Sequence, residues 1–494
     1  MNAKNITLED LRNRDRMWRP ACHFTPALNW MNDPCGLVYF HGQYHLFYQH
    51  NPSDADWGSM HWGHAVSTDL LTWHDAPIAL FPTDPEGMAF TGSAVVPSEK
   101  SAGAGWNGEP DTVVAVYTGA IQRTTPLDNH QRQCIATSRD GHTWVPEGVV
   151  LDNPGIQNFR DPKVGWHPEA GHWFMVLAVE RNINIYTSHD LRSWNQSDTI
   201  TVSTALPAGV LECPDLFPLP VMNASNRTEW VLVIHVENVD PADPGAYYTV
   251  GSFDGHRFLQ TYDAFLPIDG GHDFYATQSW ANMAPGDERR VWIAWSANSA
   301  YARRQPTSRW AGVMSIPREI RLRYMDGRPV LCQVPLRELA SKRRSSVEPV
   351  QQRFTSAGLS RYYRVENSSA WDILVEAKSC RILLSFGSAG FITIYRGQRT
   401  FTIDRTACDM GRFSGLVDPV KTIVLYPDCG EKPLTRVLFD RSILECFLDD
   451  GHRATTDLVF PEVPLQGIVV AAQLYDGVQV FPLRPAMHRD TDRF

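Results

Sequence analysis

The chain has 494 residues, 43% hydrophobic and 20% charged, with a formal net charge of −10. That length supports two or three domains around a large core, and the acidic balance, with no long Lys or Arg run, argues against nucleic acid or an anionic membrane as the main partner. No apolar stretch approaches the roughly 20 residues that span a bilayer, and the polar N-terminus MNAKNITLEDLRNRDRMW has no signal-peptide apolar region, which predicts a cytoplasmic chain unless a leader has been removed.

In chain order, the first landmark is NWMNDPCG at 29–36, which sets Asp33 between an amide and a proline. A turn pattern then recurs: STDLLTW (67–73), SRDGHTW (138–144), SHDLRSW (188–194) and SFDGHRF (252–258). The Asp-Gly or Asp-Leu step suits a tight hairpin, and the closing aromatic can pack on the next strand. Flanking text such as DTVVAVYTG and RVWIAWSA is strand-like. Ahead of each turn lies a second landmark: NDPCG (32–36), FTGSA (90–94), FRDP (159–162) and ECPD (212–215). A fifth, DFYATQSW (273–280), precedes RVWIAWSAN without a copy of the turn. Units of this kind predict an all-β, five-bladed β-propeller, in which the first strand of each blade lines a central channel. The polar stretch PLRELASKRRSSVEPVQQ reads as a short helix and linker. Beyond it, WDILVEAKSCRILLSFG and TRVLFDRSILECFLDDG alternate as in an antiparallel β-sandwich. The predicted division is 1–335 propeller, 336–352 linker and 353–494 sandwich.

The repeat brings Asp33, Asp161 and Glu212 from three landmarks into one funnel. Close carboxylates repel, so one of them should keep a proton near neutral pH. Such a cluster serves either metal binding or acid/base chemistry on a glycosidic bond. Dense D-x-D-x-D-G calcium loops are missing and Arg160 adjoins Asp161, so no metal and no cofactor is expected. The aromatic, hydroxyl and amide groups nearby suit a small sugar. His61 and His64 in HWGH read as satisfied structural histidines, and Cys213, with no base partner, as a packing residue. The nine scattered cysteines form no CxxC pair and suit a reducing compartment. N-x-S/T triplets start at Asn5, Asn195, Asn223, Asn226 and Asn367, as chance alone often gives.

The ordered set WMNDPCG, FYQHNP, HWGHAVSTDLLTW, FTGSA, FRDP, ECPD, DFYATQSW and WAGVMSIPRE, with RVLFDRSILECFLDDG near the C-terminus, resembles glycoside hydrolase family 32 from about residue 22 to about 462. That family holds invertases, inulinases, levanases and related fructosyltransferases. The resemblance implies a five-bladed propeller joined to a sandwich and retaining hydrolysis of β-fructofuranosides. It implies Asp33 as nucleophile, Glu212 as acid/base and Asp161 as transition-state stabiliser, which Arg160 would help keep ionised. It also implies that Asn32, Gln49, Trp57, Phe90, Thr91, Arg160 and, more weakly, Trp295 line the fructose pocket. Thr91 replaces the usual Ser, and Cys35 replaces the commoner Asn of NDPNG. A fructosyltransferase, an inactive sugar-binding propeller and an arabinan-cleaving enzyme are the competing readings, and a homo-oligomer through the sandwich stays open.

Overall fold

The computed structural model describes residues 8–97, 111–121, 130–202, 206–237, 240–356, 358–427, 433–473 and 477–487. The Asn5 triplet and Cys429 lie outside them. Among the described residues the chain is all-β apart from one α-helix, Leu8–Trp18, and short 3₁₀ turns, one of which, Arg337–Lys342, lies where the short helix was expected. The helix ends on Trp18, whose indole is 1% exposed and donates to the Pro461 carbonyl at 2.8 Å. Among the described residues no helix is long and apolar enough to cross a membrane.

Residues 29–335 form five successive antiparallel sheets. Their first strands are Asn29–Phe40, Met88–Val95, Phe159–His167, Val210–Pro220 and Tyr275–Ser279. Each first strand packs against the first strands of the two neighbouring sheets, and the fifth returns to the first, so the five close a ring. Each strand also carries one of the five landmarks. A propeller builds its channel wall this way, because only the first strand of a blade faces the axis.

The recurring turn joins the third strand to the fourth in the first four sheets. In each, the aspartate side chain accepts two successive backbone N–H groups. Asp69 takes those of Leu71 and Thr72, Asp140 those of His142 and Thr143, Asp190 those of Arg192 and Ser193, and Asp254 those of His256 and Arg257. The side chain thus replaces a backbone acceptor and fixes the turn. The closing aromatics Trp73, Trp144, Trp194 and Phe258 are buried in the core.

The fifth sheet departs from the pattern. After its second strand, Arg290–Trp295, the chain leaves it and adds the short strand Trp310–Ala311 in parallel beside Asn29–Phe40, then returns as Arg318–Met325 and Arg328–Pro335. The first and last sheets are thereby sewn together. Gly312 permits this: its φ is +99°, and a Cβ there would sit 2.1 Å from the Met31 carbonyl oxygen.

The C-terminal part pairs a seven-stranded with a five-stranded antiparallel sheet. Between them lie Trp371, Ile373, Ile382, Ile394, Ile468 and Val470, all at most 1% exposed. Charged groups weld this unit to the ring. Arg318, fully buried, binds Asp269 at 3.0 Å, Gln333 at 2.9 Å and Glu445 at 2.6 Å. His23 bridges Asp440 at 2.9 Å and Glu445 at 3.1 Å. The eight described cysteines are all buried.

Candidate active site

Each of the five first strands carries a bulge at its landmark, where two residues oppose one on the next strand. The pairs are Asn32–Asp33, Phe90–Thr91, Asp161–Pro162, Cys213–Pro214 and Ala276–Thr277. A bulge bends the strand and re-aims its side chains. Asp161, Cys213 and Ala276 hold equivalent positions, and all three have left-handed backbone, with φ of +65°, +44° and +51°. Non-glycine residues adopt that region at a cost of roughly 1–3 kcal/mol, so the surrounding sheet imposes it. Arg160, Glu212 and Tyr275 are likewise equivalent, each just ahead of its bulge on three adjacent strands.

The bulges bring the three carboxylates together. Asp33 accepts from Thr91 Oγ1 at 2.7 Å and Asn32 Nδ2 at 3.1 Å. Asn32 is itself fixed by Trp30 Nε1 at 2.8 Å. Cys213 links Asp33 to Asp161: its Sγ lies 3.3 Å from Asp33 Oδ2 and 3.6 Å from Asp161 Oδ2, and its N–H donates to Asp161 Oδ2 at 2.9 Å. Glu212 accepts from Arg160 at 2.8 Å on Oε1 and from the Tyr275 hydroxyl at 2.6 Å on Oε2. Arg160 is braced by Asn158 Oδ1 at 2.5 Å.

Electrostatics follow from the crowding. Burial pushes the Asp161 carboxyl up to about 7, with Arg160 opposing and Glu212 and Asp33 adding to the rise. Burial, then Glu212, raises Asp33. The cluster therefore favours holding a proton near neutrality. Burial and Asp33 push the Cys213 thiol far up, so it stays protonated.

Of the expected pocket residues, Asn32, Thr91 and Arg160 join the carboxylate network directly. Trp57 and Phe90 are half-buried and meet edge to face at 6.1 Å. Trp295 is 6% exposed and packs edge-on against Trp30 at 5.8 Å and Tyr275 at 6.5 Å. Gln49 is set back, 2% exposed, and donates to the Ala89 carbonyl at 3.0 Å.

Arg160 pairs with Glu212 and, 4.0 Å from Asp161, draws that carboxyl down, while burial outweighs it and holds Asp161 up at about 7. Two expectations need correction. Cys213 is more than packing, since it bridges two carboxylates. His64 is only half satisfied: Nε2 meets His45 Nδ1 at 3.0 Å, while its Nδ1 has no partner among the described residues. Tyr275 and Asn158 were missed, although both lie in or beside a landmark. Glu237, exposed at the end of Thr228–Glu237, was also missed; the charge of Glu212, then burial, raises its carboxyl. No sequence signal marks it. No group of three or more His, Cys, Asp or Glu side chains among the described residues is arranged to hold a metal ion.

Three clustered carboxylates held by neighbouring donors are an arrangement suited to acid/base chemistry on a glycosidic bond. The comparisons agree. Residues 23–335 match the glycosyl hydrolases family 32 N-terminal domain and residues 343–480 the family 32 C-terminal domain. The chain belongs to glycosyl hydrolase family 32 and is a hydrolase of that family. It is 38% identical to a levanase of Bacillus subtilis over 93% of this chain and 68% of the relative. It is 32% identical to a raffinose invertase of Escherichia coli over 94% of each. The crystal structure of exo-inulinase from Aspergillus awamori superposes with a TM-score of 0.82 at 29% identity, covering 95% of this chain and 99% of that one.

Proposed function

We propose that the chain is a retaining β-fructofuranosidase that releases the terminal β-D-fructofuranosyl unit of sucrose and short fructo-oligosaccharides. The observation that carries this is the linked set Asp33, Cys213, Asp161, Arg160, Glu212 and Tyr275 on four of the five bulged strands. Relatives named levanase, exo-inulinase and raffinose invertase, and a structural relative from Schwanniomyces occidentalis complexed with fructose, support a fructoside as substrate. In this reading the five sheets are the five blades, residues 1–335 form the catalytic propeller, 336–352 the linker and 353–494 the sandwich.

Asp33 attacks C2 of the fructosyl unit while Glu212 gives its proton to the departing glycosidic oxygen. A fructosyl-enzyme ester forms and the leaving sugar departs as an alcohol. Glu212, now ionised, takes a proton from water, whose oxygen attacks C2 and frees Asp33. Asp161 and Arg160 meet ring hydroxyls as positive charge develops. Thr91 and Asn32 hold the attacking carboxylate in line.

The test separates the two roles. Asp33→Ala abolishes turnover of every fructoside. Glu212→Ala loses about 10²–10⁴-fold on sucrose but much less in the first step of a nitrophenyl fructoside, which needs little proton help. Azide, which needs no base, then restores turnover in Glu212→Ala and not in Asp33→Ala. A reversed rescue exchanges the roles. Product analysis on dilute sucrose expects equal glucose and fructose; a shortfall of fructose matched by trisaccharide identifies a transferase.

A further inference from the structure

The mechanism above leaves one acid beside the carboxylate cluster without a task. Glu237 closes Thr228–Glu237, the second strand of the fourth sheet. The strand register fixes where it lies. On the neighbouring first strand, Glu212 stands opposite His235 and Val210 opposite Glu237. Residues directly paired across two strands share a face of the sheet, as do residues two apart in one strand. Glu237 is therefore on the face of Glu212 and His235, one step nearer the start of the first strand and so nearer the mouth of the funnel. The pair between them, Leu211 and Val236, points the other way and is fully buried in the core. His235 shows where the shared face looks: its ring meets Tyr275 edge to face at 5.2 Å, and the Tyr275 hydroxyl holds Glu212. Glu237 is exposed and makes no hydrogen bond or ion pair among the described residues. Even so, the charge of Glu212 and then burial raise its carboxyl, and Arg160 and Asp33 act on it as well. An exposed side chain that feels all of these stands in a concave mouth, with its oxygens unclaimed.

We propose that Glu237 is a specificity residue of the leaving-group side: its carboxylate accepts hydrogen bonds from hydroxyls of the departing sugar, and so selects fructosides whose leaving group is a hydroxyl-rich sugar over those that release a small alcohol. This rests on the fructoside reading and on Glu212 as the acid. The proton of Glu212 goes to the glycosidic oxygen, so the departing sugar lies beyond Glu212 towards the mouth, where Glu237 stands. A carboxylate only accepts, and its two oxygens match the paired hydroxyls of a sugar ring. Glu237 touches the leaving group and not the reacting carbon, so its part is in choosing the substrate.

Steady-state kinetics of the full chain on two substrates test it. Sucrose releases glucose, whereas methyl β-D-fructofuranoside releases methanol, which is too small to reach Glu237. Methanol needs the proton of Glu212 at least as much as glucose does, so a fault at Glu212 would harm both substrates alike. In Glu237→Ala the ratio of kcat/KM for sucrose to that for the methyl fructoside should fall by about 10- to 100-fold, the worth of a hydrogen bond to a charged group. In Glu237→Gln, which keeps one acceptor oxygen, the ratio should fall less. A ratio unchanged in Glu237→Ala, whether both values drop together or neither moves, would overturn the proposal. Turnover of neither substrate by the unmodified enzyme would overturn the fructoside reading and this assignment with it.

Discussion

Glu212 is held from both sides, by Arg160 on one oxygen and the Tyr275 hydroxyl on the other, and so cannot rotate away from the pocket. A hydrogen bond to a charged group is worth about 1.5–3 kcal/mol. Tyr275→Phe should therefore lower kcat/KM by about 10- to 100-fold with little change in thermal midpoint. Unchanged kinetics would mean that Arg160 alone positions Glu212. The pH profile belongs to the same residues. The free enzyme must carry one proton in the cluster, and burial pushes Asp161 up to about 7. Activity should accordingly fall as pH rises through about 7. Arg160 draws Asp161 down, so in Arg160→Gln the Asp161 carboxyl holds its proton more tightly. The alkaline limb of kcat/KM should move to higher pH while its plateau drops. A limb displaced downwards would show that the titrating group is not in this cluster.

At the scale of the element, two devices make the ring: the aspartate turn and the bulge. They differ in what depends on them. The turn lies between the third and fourth strands, away from the channel, and fixes local geometry only. Asp190→Ala removes the acceptor of two backbone N–H groups. It should cost about 1–3 kcal/mol by denaturant unfolding and leave kcat intact. The bulged first strand is different, because its register sets Asn32 and Asp33. Trp310–Ala311 lies directly beside it, and Gly312 follows in left-handed backbone. In Gly312→Ala the new Cβ would force the closing strand away from Met31. Stability should fall by about 2 kcal/mol or more, and here activity should fall with it. Retained activity after such a loss would show that the bulge holds its shape without the closing strand.

For the whole molecule, the deciding feature is the charged seam between ring and sandwich. His23 is 2% exposed and lies between Asp440 and Glu445. Burial opposes its charge, but the two carboxylates win and push it up to about 9 from 6.5. The folded state then binds a proton that the unfolded chain releases. Its stabilisation is fully present below pH 6.5 and is lost as pH rises through about 9. Asp440 and Glu445 are held below the ordinary range, against burial, by His23 and by Arg318 respectively, so their share is lost at the acid end. Stability measured by urea should decline between pH 6.5 and about 9, and His23→Gln should flatten that decline. A slope unchanged in His23→Gln would place the titration elsewhere. Removing Arg318 strands Asp269 and Glu445 as buried charges, so Arg318→Met should destabilise by about 3–5 kcal/mol, read as the denaturant midpoint.

Much of this was legible in the chain itself. The S-x-D turns act through contacts two and three residues away, so the motif contains its own cause. The landmarks sit at matched places in successive repeats, and repetition brings them to one axis; that gathers Asp33, Asp161 and Glu212 into one funnel, although each holds a different position about its bulge. Alternation of apolar and polar residues was enough to separate a sandwich from a ring. What only the tertiary structure decided depends on partners distant in sequence. Arg160 lies next to Asp161 in the chain, yet the left-handed bulge at Asp161 lets the guanidinium reach Glu212, 52 residues on. The fifth sheet has no turn motif because its chain leaves to pair with a strand 281 residues earlier, and no local pattern encodes that trip. The buried ions of the seam, Arg318 with Glu445 and His23 with Asp440, read in sequence as ordinary surface charges. Their meaning comes from burial, which turns a weak exposed pair into a strong constraint on how the two halves fit.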